Sequence, residues 1–110
     1  MKIYISGPIT GYDFDERLRT FTKARKEIEK FCYARDRLHG THTDYEIFSP
    51  PHAYKQGMMY EEIMRHDMLQ LLESDYVCFL QGWQDSRGCK AERAVAECCG
   101  IRILFDNMQP

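Results

Sequence analysis

A chain of 110 residues, 44% of them hydrophobic, has the size of one compact domain built around one core. With 15 Lys and Arg against 17 Asp and Glu, the formal net charge is -2, so there is no broad basic field to hold a polymeric nucleic acid by counterion release. Five cysteines form no Cys-x-x-Cys pair, and the adjacent Cys98 and Cys99, in a helical and apolar setting, are expected to be buried, reduced thiols and not disulfides or zinc ligands.

The opening run is too short to be a signal peptide and no stretch approaches 18 apolar residues, so a soluble, cytoplasmic protein with no membrane partner is expected. In chain order, residues 2–6 form a β-rich run that Gly7-Pro8 stops. From Asp13 onward Phe14, Leu18, Phe21, Ala24, Ile28 and Phe31 recur at steps of three and four, the helical period, with Asp13 and Asp15 as candidate caps. A polar loop follows Gly40. Residues 45–48 then make a brief strand closed by Ser49-Pro50-Pro51. Tyr60, Ile63, Met64, Met68, Leu71 and Leu72 give the next helical stripe. Asp75 opens 76–80, a continuous apolar run of the kind a parallel strand buried on both faces requires, and Gly82 breaks it. Residues 86–99 read as a helix stopped by Gly100, and 101–105 as a last apolar strand.

This alternation predicts an α/β fold: a small, three-layer, doubly wound and mostly parallel sheet of about four to five strands, flavodoxin-like or Rossmann-like, forming a single domain over 1–110. Such sheets bind ligands beyond the carboxyl ends of their strands, which directs attention to the loops 6–12, 49–57 and 81–88. In the first, Ser6, Gly7, Ile9, Gly11 and Tyr12 belong to a glycine turn that either brings backbone N–H groups to an anion or merely routes the chain. In the third, Ser86 and Gly88 sit at a helix N-terminus, where Ser86 is either an N-cap or one of the donors to a phosphate or carboxylate.

Glu92 lies further along that helix, on a side that could face the end of the third strand. Asp67 occupies the otherwise apolar stripe of the preceding helix, where a carboxylate either points into a site or decorates a boundary. Two carboxylates at one cleft are what glycosidic bond cleavage needs. Asp75, at the start of its strand, reads as structural support. His66 either tunes its neighbour Asp67 or is simply exposed. His39, His42, Asp44 and His52 are scattered through loops without a ligand motif, and Asp13-Phe14-Asp15-Glu16 is a helix cap and not a calcium loop, so no metal is expected.

The segments YISGPITG, HDMLQLLESDYVCFL and SRGCKAERAVAECCGIRIL together resemble the nucleoside 2-deoxyribosyltransferase superfamily, in particular small bacterial and phage domains marked by Ile-Ser-Gly-Pro and Gly-Trp-x-x-Ser-x-Gly. The pattern is also similar to 2′-deoxynucleoside 5′-monophosphate N-glycosidases, whose Ser-x-Gly-x-x-x-Glu spacing falls on Ser86, Gly88 and Glu92 and whose Asp, eight residues before a strand-opening Asp, falls on Asp67. The resemblance implies a covalent sugar ester on Glu92, departure of the base assisted by Asp67, and a 5′-phosphate held by Ser86, the Gly88 N–H and the first loop. Trp83 or Tyr12 would stack on the base. It further implies a nucleotide or nucleoside ligand, no cofactor and a homo-oligomer in a bacterial or phage-infected cell. The alternative in another class is a non-catalytic module of the same fold that binds or sequesters a nucleotide, with Glu92 on a ribose hydroxyl.

Overall fold

Lys2–Ser6 forms β1, and all five of its residues are buried, because it is a central strand covered on both faces. β1 pairs in parallel with β2 (Glu46–Phe48) on one side and with β3 (Tyr76–Phe79) on the other, and β3 pairs in parallel with β4 (Arg102–Phe105). The order β2-β1-β3-β4 means that the chain moves from β1 to one edge, then crosses back over β1 to reach β3. That reversal between β1 and β3 is the topological switch point of a doubly wound α/β sheet. The structure, a computed structural model, describes residues 1–53 and 57–106.

α1 (Phe14–His39) covers one face. The Asp13 carboxylate caps it by accepting the Glu16 N–H, and its buried Phe21, Ile28 and Cys32 pack on Ile3, Ile5, Cys78 and Leu80. Phe31, expected in this stripe, is exposed, and Cys32 takes its place: four residues beyond Ile28, it keeps closer to the buried face on a helix of 3.6 residues per turn. α3 (Tyr60–Leu72) and α4 (Arg87–Cys99) cover the opposite face, where Leu71, Cys89 and Ala96 meet Tyr4, Val77 and Phe79.

The predicted boundaries shift slightly. The second and last strands each begin one residue later, the third ends one residue earlier, and the loop after β2 opens with a four-residue helix, α2 (Pro50–Ala53). Residues 54–56 of that loop lie outside the described residues. The loop after β3 contains a single 3-10 turn, Trp83–Asp85. Cys98 and Cys99 are exposed, contrary to expectation, while Cys32, Cys78 and Cys89 are buried. The buried stripe of α4 runs through Cys89, Glu92 and Ala96, so Cys98 lies about 200° around the helix from Ala96 and Cys99 is the final helical residue. Among the described residues no helix is long and apolar enough to cross a membrane, and no three His, Cys, Asp or Glu side chains form a group that could hold a metal.

Candidate active site

At the carboxyl end of β1, the β1–α1 loop, α3 and the start of α4 enclose a cleft of about 500 Å³. Gly7, Ile9, Tyr12 and Pro50 line it from the loops, Tyr60, Ile63, Met64 and Asp67 from α3, and Ser86, Arg87, Gly88, Cys89 and Glu92 from α4 and its cap. Its floor includes Tyr4 of β1.

Glu92 is buried on α4 and is held at both carboxylate oxygens. The Tyr4 hydroxyl donates to Oε2, and the Ser6 hydroxyl donates to Oε1 at 2.9 Å. The side chain therefore meets the end of β1, not β3 as its place in the sequence implied. Burial pushes its pKa up to about 7 and the nearby negative charge of Asp67 adds to that rise, while the bonds from Tyr4 and Ser6 oppose it. Tyr4 itself is held well above the usual tyrosine range by burial and then by the Glu92 and Asp67 charges, so it remains a proton-bearing donor.

Asp67 is buried on α3 although its neighbours in the stripe are apolar. Burial raises its pKa to about 6 against the pull of His66, whose Nδ1 lies 3.6 Å from Oδ1 and whose ring is half exposed. Two acidic side chains from different helices thus share one desolvated cleft, each keeping its proton into the range where a carboxyl can serve as an acid or a base near neutral pH.

The start of α4 supplies donors. Ser86 is an N-cap whose Oγ accepts the Cys89 N–H at 3.2 Å, which leaves the Arg87 and Gly88 N–H groups without an intrahelical acceptor. Gly88 also permits the helices to meet, since a Cβ there would stand 3.3 Å from the Met64 sulfur. Arg87 places its guanidinium over the Tyr60 ring, 5.6 Å from the centroid. Gly7 is required by packing, because a Cβ would come within 2.9 Å of the Phe21 ring and 3.1 Å of Leu80.

Of the residues singled out from sequence, Gly7, Ile9, Tyr12, Asp67, Ser86, Gly88 and Glu92 line the cleft. Three others lie elsewhere, and Ser6 stands behind the cleft wall. Gly11 is a turn residue at φ 85° away from the cleft. Trp83 packs into an aromatic cluster with Phe79 and Phe105, at 5.3 and 6.1 Å between centroids, and carries the Arg93 guanidinium on its ring. The indole faces the β3–β4 side and is not among the residues lining the cleft. Asp75 sits at the opposite end of the sheet, accepting the Lys2 N–H with its carboxylate at 2.8 Å and receiving Arg102 N–H on its carbonyl.

Sequence reasoning missed Tyr4. The signal was present in Lys-Ile-Tyr-Ile-Ser, an apolar/polar alternation that in a central strand cannot mean a solvent face. It also missed Arg17, buried at the start of α1, whose guanidinium donates to the Pro8 carbonyl at 3.3 Å and lies over the Tyr12 ring, clamping the first loop.

Residues 1–105 match the family described as a domain of unknown function, DUF4406. The chain belongs to that family. Among solved structures it is similar to a 2-deoxyribosyltransferase from the psychrotolerant bacterium Bacillus psychrosaccharolyticus, with a TM-score of 0.65 and 16% identity over 96% of this chain and 71% of that one. A likeness at that identity establishes a shared nucleoside deoxyribosyltransferase-like fold. No curated protein matches the sequence.

Proposed function

We propose that this DUF4406 domain cleaves or exchanges the N-glycosidic bond of a deoxynucleoside or deoxynucleotide through a covalent sugar ester on Glu92. The observation that carries the reading is the pair of buried carboxylates in one cleft, with both oxygens of Glu92 held by β1 side chains and Asp67 close enough to raise its pKa. The likeness of fold to a 2-deoxyribosyltransferase supports the same chemistry.

In the first step a Glu92 carboxylate oxygen forms a bond to C1′, the C1′–N bond breaks, and its electron pair leaves on the base nitrogen. Asp67 assists by donating a proton to the base or orienting it. In the second step water, or the nitrogen of another base, attacks C1′ from the vacated side, the ester bond breaks to restore the Glu92 carboxylate, and the nucleophile's proton passes to Asp67 or to solvent. The unpaired N–H groups of Arg87 and Gly88 and the positive end of the α4 dipole suit a 5′-phosphate. Tyr12 and Tyr60 offer aromatic surface for a base. A homo-oligomer is part of the same proposal and is checked by sedimentation.

The test is incubation of the pure protein with deoxynucleosides and their 5′-monophosphates, with and without a second base, following free base and exchanged product by chromatography. Base release that disappears in Glu92→Ala is the expected result. Tight binding without release, surviving Glu92→Gln, would replace the enzyme with a nucleotide-binding module.

A further inference from the structure

Ser6, buried beside Glu92, holds one of its oxygens but takes no further step in the chemistry above. Ser6 is 1% exposed and its side chain does not line the cleft. Its backbone is fixed by the β1–β3 ladder opposite Phe79, and its carbonyl accepts the Leu80 N–H at 2.8 Å. Gly7 beyond it is wedged under Phe21 and Leu80, so the strand end has no room to turn this hydroxyl outward. Its single proton goes to Glu92 Oε1.

Cys89 stands three residues before Glu92 on the same face of α4 and is equally buried. Burial raises the pKa of its thiol, so it keeps its proton, while the neighbouring Ser6 and Ser86 hydroxyls oppose that rise.

From this geometry we infer that Ser6 is a positioning residue for Glu92 and not a ligand group of the first loop. The inference rests on the reading of Glu92 as the reacting carboxylate. A glutamate reaches its target through three rotatable bonds, and one donor leaves it free to pivot about the held oxygen. Tyr4 on Oε2 and Ser6 on Oε1 fix the plane of the carboxylate toward the cleft. The same bond offsets part of the desolvation that favours the protonated form. The titratable groups facing Glu92 are Tyr4 on β1, Cys89 on α4, and Asp67 with its neighbour His66 on α3.

Ser6→Ala tests this by two independent readouts. In ligand-free protein, carbon-13 NMR of the side-chain carboxyls locates the Glu92 titration, identified by its loss in Glu92→Gln. The Ser6→Ala midpoint should move up by about one pH unit. In turnover, kcat should fall roughly ten- to a hundredfold with KM nearly unchanged, and the acid limb of the rate profile should move with the NMR midpoint. Ser6→Cys, which keeps a weak donor of similar shape, should fall between the two. A folded Ser6→Ala protein with the wild-type midpoint overturns the inference, as does a raised KM with unchanged kcat, which would return Ser6 to ligand binding. If wild-type protein releases no base, the proposed activity fails while the NMR titration still decides the role of Ser6.

Discussion

The two faces of β1 are built on opposite terms. Ile3 and Ile5 point toward α1 and enter a cluster with Phe21, Ile28 and Leu80. Lys2, Tyr4 and Ser6 point toward α3 and α4, and each buried polar group there has a partner. Lys2 Nζ donates to Gln70 at 2.5 Å and to Glu73 at 3.2 Å, and Tyr4 and Ser6 hold Glu92. Both faces are equally closed to water, yet only the α1 face gains the full hydrophobic term from that closure. The α3/α4 face buries carboxylates that water would solvate better, and its hydrogen bonds offset only part of that loss. The comparison teaches that one strand can anchor the fold and hold a buried carboxylate, with alternation keeping the two tasks apart.

Glu92→Gln breaks the comparison most sharply. Base release should drop by at least about a thousandfold if the carboxylate is the nucleophile, yet the protein should become more stable above neutral pH. The sign follows from the raised pKa. Below the ordinary 4.5 the group is protonated in folded and unfolded chains alike, and as pH rises through about 7 the folded chain must ionise a buried group that the unfolded chain has already ionised. Stability from this residue is therefore lost between those values. Urea melts should show a Glu92→Gln gain of roughly 3 kcal/mol at pH 8 that vanishes near pH 4. A variant less stable than wild type at pH 8 would show that the hydrogen bonds outweigh desolvation.

Asp67→Asn acts on the same face with a smaller effect. If Asp67 acts on the leaving base as proposed, its loss should slow base release by roughly a hundredfold. Because the Asp67 charge raises the Glu92 pKa, removing it should move the acid limb of kcat/KM to lower pH. A limb that stays in place would mean that the two carboxyls titrate independently. On the other face, Ile28→Ala should cost about 2–5 kcal/mol in denaturant melts and leave kcat of the folded protein unchanged. A kcat that fell with it would show that the α1 layer reaches the site.

Much of this division was legible in the chain. β1, the helical periods, the Gly100 stop and the buried apolar run of β3 announce a parallel sheet because each is a local pattern. Glu92 and Asp67 stood out for the same reason, as carboxylates interrupting apolar or cap-like settings. What was not legible depended on strand order. Until β1 is placed between β2 and β3, nothing in Lys-Ile-Tyr-Ile-Ser says that Tyr4 and Ser6 meet a residue 86 or more positions away. Cys98 and Cys99 misled for a different reason: both are apolar, but Cys98 lies about 200° around α4 from the buried Ala96 and Cys99 is the final helical residue.

Trp83 marks where the cleft side ends. Beside the Ser86 cap, an indole reads as a stacking surface for a base, but the turn Trp83–Asp85 directs it over Phe79 and Phe105 with Arg93 above it. That arrangement uses the ring as apolar bulk and as a seat for a cation, and it braces α4 at the helical turn carrying Glu92. Trp83→Leu should therefore lower stability by roughly 1–2 kcal/mol, the smallest of these effects, and leave KM for the nucleoside within about twofold, since no substrate contact is lost. A tenfold rise in KM at unchanged stability would place the indole on the base and extend the reactive face beyond the cleft, to a surface that the polar row of β1 does not reach.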